Sequence, residues 1–173
     1  MSISLNATEV ELLSALQTSA VQFLVIGGHA VIFHGYIRPA KDFDLWLYPD
    51  EENVARFAKA LSHLSSPFTL TPEQLAQMAQ PMHQLKIDLL HTEILTSVTG
   101  LDFLDASGRA LVGYEHGVQY PVLCLADLIM NKRTLAREQD LEDVRKLQAL
   151  PPPVDELATM VFPSAAYTNP PAP

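Results

Sequence analysis

Apolar and polar positions divide this chain into alternating helical and extended segments. Asn6 followed three residues later by Glu9 has the form of a helix-opening capping box, and Val10, Leu13 and Leu16 recur at helical spacing behind it. Val21 to Ile26 is a continuous apolar run that stops at Gly27-Gly28, the pattern of a buried central strand ending in a sharp turn. A short helix is predicted from about His29 to His34, then a loop from Tyr36 to Ala40 that Pro39 keeps out of helix. The next strand alternates, with Asp42, Asp44 and Trp46 on one face and Phe43, Leu45 and Leu47 on the other. Asp50 caps a helix that carries Val54, Phe57, Ala58, Leu61 and Leu64 on one side. Thr71-Pro72-Glu73-Gln74 opens another.

Gln84 to Leu90 repeats the alternation, with Lys86 and Asp88 facing one way and Leu85, Ile87 and Leu89 the other. Residues 91–108 show no clear period and are expected to be loop with a turn of helix at most. Arg109 to Tyr114 and Val118 to Cys124 form a predicted hairpin about Glu115-His116-Gly117, and Pro121 points to an edge strand. Helices over Leu125 to Ala136 and Gln139 to Leu150 close the pattern. Strand, turn, helix, strand, helix in this order is α/β or α+β architecture. A domain over residues 1–150 is expected, followed by an extended tail over 151–173 that holds seven of the 13 prolines.

Composition narrows the classes. With 173 residues, 48% hydrophobic and 18% charged, the chain can bury one sizeable core. No apolar run approaches the roughly 18 to 20 residues that span a bilayer, and the first residues lack a signal-peptide pattern, so a cytoplasmic protein without membrane contact is expected. A single cysteine, Cys124, forbids an internal disulfide. The net charge of -9 argues against broad nonspecific binding to nucleic-acid backbone, though not against a local basic site.

The chemistry-bearing residues gather in three places. Asp42 and Asp44 point the same way one pleat apart, and like charges so placed repel unless a cation or proton lies between them. With Asp88 they could converge on Mg²⁺, which takes oxygen ligands at about 2.0 to 2.1 Å and is shared with substrate phosphates. A charge-protected strand edge is the alternative for the same residues. Gly27-Gly28 lets a ligand approach bare backbone but is no P-loop, because the Gly-Lys-Ser/Thr ending is absent. Near the end, Lys132 is expected at an exposed position, as a point charge for a triphosphate. Arg137, Asp140 and Asp143 at spacing three could pair among themselves, hold Lys132, or form a solvated face. The histidines have no metal-site spacing, and no Ser-His-Asp order is present.

Taken together, Gly27-Gly28-His29-Ala30, Arg38, Lys41-Asp42-Phe43-Asp44, Asp88, Asp127-Leu128-Ile129 with Asn131-Lys132, and Arg137, Asp140 and Asp143 carry a resemblance over roughly residues 20–150. They resemble the nucleotidyltransferase superfamily with the DNA polymerase β-like core, and within it the stand-alone bacterial group near the abortive-infection toxins. The resemblance implies a minimal α/β (α+β) fold, a mixed sheet flanked by helices with further helices at the C-terminal end. It implies Asp42, Asp44 and Asp88 as catalytic Mg²⁺ or Mn²⁺ ligands, with Gly27, Gly28, His29, Arg38, Lys41 and Lys132 around the nucleotide and Arg137, Asp140 and Asp143 supporting them. His29 stands where the best-known members carry Ser, so the backbone must serve phosphate there. The implied reaction moves an NMP from a nucleoside triphosphate to a hydroxyl of an RNA or protein acceptor. The alternative is a catalytically inactive nucleotide-binding or interaction module with a cognate antitoxin or toxin protein as partner.

Overall fold

The computed structural model describes residues 5–151, so the tail expected over 151–173 lies outside the described residues except for Pro151. Helix α1 (Ala7–Thr18) leads to strand β1 (Phe23–Val25), helix α2 (Gly27–Phe33) and strand β2 (Phe43–Leu47). Helices α3 (Glu51–Ser62) and α4 (Pro72–Met78) precede β3 (Gln84–Ile87), a 3-10 turn (Asp88–Leu90) and β4 (Thr92–Leu95). Helix α5 (Phe103–Gly108), the hairpin β5 (Leu111–Glu115) and β6 (Val118–Val122), and helices α6 (Leu125–Leu135) and α7 (Glu138–Ala149) complete the order.

The predicted caps form as chemistry requires. The Asn6 side chain accepts from the Glu9 amide at 3.0 Å, and Glu9 accepts from the Asn6 amide at 2.8 Å. Thr71 and Gln74 make the second such box, and Asp50 caps α3 through the Asn53 amide. Leu12, Leu13 and Leu16 of α1 and Val54, Phe57 and Leu61 of α3 are buried against each other and the sheet.

Six strands make one mixed sheet in the order β3-β4-β2-β1-β6-β5. The parallel pairs are β2 with β4 and β1 with β6, and the remaining pairs are antiparallel. The C-terminal end of β1 therefore lies beside the starts of β2 and β4. This end positions the site.

Three sequence expectations change. Residues 91–108 are not loop: they contain β4, inserted between β2 and β3, and α5, which Asp102 caps by accepting from the Asp105 amide. Strand β3 ends at Ile87 rather than Leu90, because Asp88 starts the 3-10 turn that His91 closes in a left-handed conformation. Pro121 lies in an interior strand, since β6 has β1 on one side and β5 on the other; pairing with β1 registers at Val122, past the missing amide. The hairpin itself turns at His116-Gly117, both at positive φ, which matches strand twist. No helix among the described residues is long and apolar enough to cross a membrane.

Asn53 ties the two central strands to α3. Fully buried, it accepts from the Gln22 amide at 2.7 Å and donates to the Gln22 and Tyr48 carbonyls at 3.0 and 2.9 Å. Asn53→Ala leaves the Gln22 amide without its acceptor, while the Gln22 and Tyr48 carbonyls keep the Tyr48 and Asp50 amides, and it should cost on the order of 2 kcal/mol in urea unfolding. A cost below about 1 kcal/mol would mean that water replaces these bonds.

Candidate active site

The site begins with a packing constraint. Gly27 has φ +60, and a Cβ there would lie 1.9 Å from Asp44 Oδ2. Only glycine allows the turn and the carboxylate to occupy adjoining space. The Gly28 amide donates to the same oxygen at 3.4 Å, and a Cβ on Gly28 would press on Ala40 at 3.0 Å. The glycine pair and the second aspartate are thus one unit.

Register defines what surrounds Asp44. On β4 its neighbour is Glu93, and on β3 the neighbour of Glu93 is Lys86, so the three share one face of the sheet. Asp42 precedes β2 rather than lying in it, and its Oδ1 is 3.6 Å from Lys86 Nζ. Burial raises the Asp44 carboxyl to about 6 against the opposing Gly28 hydrogen bond, and repulsion from Glu93 and Asp42 adds to the rise. Glu93 is the carboxylate the sequence reading missed. Its signal was there, an acidic residue in the short apolar run Thr92-Glu93-Ile94-Leu95, but residues around it show no period.

Asp88 takes a different place from the one expected. It is exposed in the 3-10 turn beyond β3, and the register position beside Asp44 belongs to Glu93. Among the described residues no three His, Cys, Asp or Glu side chains converge closely enough to hold a metal ion. Gln84 donates to Glu93 while Lys86 holds Asp42, so two of the three acidic arms on this face are engaged from β3.

The closing helices form a buried ion cluster. Lys132 Nζ lies 2.8 Å from Asp140 Oδ1 and 2.7 Å from Asp143 Oδ2. Arg38 grips Asp143 through two bonds of 2.6 and 2.7 Å, and Arg137 bonds Asp140 at 2.6 Å. Burial by itself raises the Asp143 carboxyl, but the bonds from Arg38 and Lys132 hold it below its ordinary value. Lys132 is therefore not the exposed residue expected; it is 4% exposed and already has two carboxylate partners. Arg137 is mostly exposed, and Asp44 and Glu93 join Asp140 in raising its pKa, so the cluster borders the carboxylate face.

His29 turns elsewhere. Its ring meets Phe43 edge-on at 4.9 Å, on the side of β2 opposite Asp44, and Nε2 lies 3.5 Å from Glu9. The structure brings the backbone at His29 to the turn but not its ring to the carboxylates. Lys41 is exposed beside Asp42, at the rim of a cavity of about 440 Å³ that also contacts His29 and His91.

Comparison with solved structures agrees with this architecture. A crystal structure from Thermotoga maritima, described as a "putative nucleotidyltransferase", matches with a TM-score of 0.50 at 21% identity, covering 80% of this chain and 89% of that one. The chain shares that fold. No family model matches it, and no curated protein does. The α/β fold with a mixed sheet and C-terminal helices is thus as the sequence pattern and its resemblance implied.

The raised Asp44 pKa has a definite sign for stability. Above about pH 6 the folded protein carries an ionised, half-buried Asp44 at a cost relative to the unfolded chain, while below the unfolded value of 3.8 both states are protonated and the cost is gone. In chelator at pH 7.5, Asp44→Asn should therefore be more stable than wild type, by up to about 3 kcal/mol. That advantage should shrink as pH falls from 6 to 4. A variant less stable than wild type at pH 7.5 would make Asp44 a structural ion-pair partner instead.

Proposed function

We propose that the protein is a metal-dependent nucleotidyltransferase, moving a nucleoside monophosphate from a nucleoside triphosphate to a hydroxyl of an RNA or protein acceptor. The observation that supports this most is the seating of Asp44 on the Gly27 turn in register with Glu93, in a chain with the fold described above. A bare-backbone turn and a repelling set of carboxylates at one sheet end suit phosphate and a hard cation respectively.

Mg²⁺ or Mn²⁺ fits this donor set by chemistry. Asp42, Asp44 and Glu93 offer hard oxygens, and their mutual repulsion is what an added cation relieves. Asp42 and Asp44 would hold the ion, two carboxylates being enough for a cation shared with phosphate oxygens, and Glu93 stays free to act as a base. When bound, it supplies positive charge to the triphosphate.

The chain's own groups supply the rest. The Gly27-Gly28 backbone lets the triphosphate come close, and Arg137 offers a cation at the rim. Glu93 accepts the acceptor's hydroxyl proton as the new oxygen bond forms at the α-phosphorus. The bond from that phosphorus to the β-phosphate oxygen breaks, and pyrophosphate leaves. Lys132, Arg38, Asp140 and Asp143 act at a distance by holding the closing helices against the loop before β2.

A specific observation favours a second reading, an inactive nucleotide-binding or interaction module, such as one half of a toxin–antitoxin pair. Asp42 and Glu93 already have partners on β3. The two readings part in one experiment. Protein incubated with α-labelled nucleoside triphosphates, Mg²⁺ and cell extract should label RNA or protein, and Glu93→Gln should lower labelling more than about a hundredfold. Asp88→Asn should leave it near wild type. Nucleotide binding without any label transfer would support the inactive module, and loss with Asp88→Asn but not Glu93→Gln would reverse the assignment.

A further inference from the structure

Strand β3 is the outermost strand on the acidic side of the sheet, and it reaches inward with two polar arms. Gln84 donates to Glu93, and Lys86 pairs with Asp42 at 3.6 Å. Lys86 shares its face with Glu93 and Asp44, its side chain is 51% exposed, and that of Asp42 is 32% exposed. The pair is open enough to separate, because a half-exposed ion pair is worth little. Lys132 differs in each respect, being buried and held by two aspartates.

From this we infer that Lys86 has two successive partners. In the ligand-free protein its ammonium occupies part of the carboxylate face as a stand-in cation. When a divalent cation takes Asp42, the freed ammonium turns to the triphosphate, so Lys86 rather than Lys132 is the lysine that contacts substrate. Metal and nucleotide then favour each other's binding, since the metal releases a cation that the nucleotide needs. This rests on the transferase reading of the Asp44 site, and deepens it by naming a substrate-binding residue on an edge strand.

The inference predicts opposed shifts in one variant. Measured by calorimetry on the full chain, Lys86→Met should bind Mn²⁺ alone about two- to fivefold more tightly, because its competitor is gone. The same variant should bind α,β-methylene ATP with Mn²⁺ present about tenfold more weakly. Lys86→Arg should recover the nucleotide affinity, and the Mn²⁺ gain should vanish in an Asp42→Asn background. A merely structural lysine would weaken both bindings or neither, and either result overturns the inference. So does a Mn²⁺ gain that survives Asp42→Asn, which would be a general charge effect. If wild type shows no Mn²⁺ binding that Asp44→Asn removes, the transferase reading falls as well, and that outcome is distinct from failure at Lys86 alone.

Discussion

The contact between Asp44 and Gly27 governs the geometry of this protein's acidic end. A side chain at Gly27 would overlap the carboxylate, so the turn after β1 and the second residue of β2 are possible only together. The arrangement stores electrostatic cost. Asp44 is half-buried among like charges, and the Gly28 amide donates one hydrogen bond that offsets this. A fold that keeps such a carboxylate at the end of three neighbouring strands has built a place for positive charge to enter.

A second group of charges solves the opposite problem. Lys132, Asp140, Asp143, Arg38 and Arg137 are matched within the protein, and their bonds join α6 and α7 to the loop before β2. Breaking one member of such a buried set typically costs about 3 to 5 kcal/mol, because the others are left uncompensated. The cluster is thus a clamp. It fixes the helical wall beside the carboxylates, and Arg137 extends from it toward them. One end of the sheet therefore holds a matched set of charges next to Asp44, which among the described residues has no cationic side chain bonded to it.

Much of this was legible in the sequence because it is local. The capping boxes at Asn6 and Thr71, the strand that stops at Gly27 and the hairpin turn at His116-Gly117 are written within a few adjacent residues. The spacing of Arg137, Asp140 and Asp143 showed that they share a helix face, but whether that face met solvent or Lys132 depends on how two helices dock. Glu93 was missed because β4 is four residues long and its place between β2 and β3 is a matter of topology. Asp88 looked equivalent to Asp44 because alternation runs through it, whereas the chain leaves the strand one residue earlier. Pro121 signalled an edge that the parallel pairing with β1 covers.

In the proposed function Asp44, on the Gly27 turn, faces the place where metal and triphosphate bind. Anomalous diffraction from crystals containing Mn²⁺ and a non-hydrolysable nucleoside triphosphate tests it directly. The expected result is a manganese peak bonded to Asp44, with Asp42 completing the protein ligands and the phosphates over Gly27-Gly28. Manganese and nucleotide bound elsewhere, with Asp44 still touching only the Gly27-Gly28 turn, would contradict it.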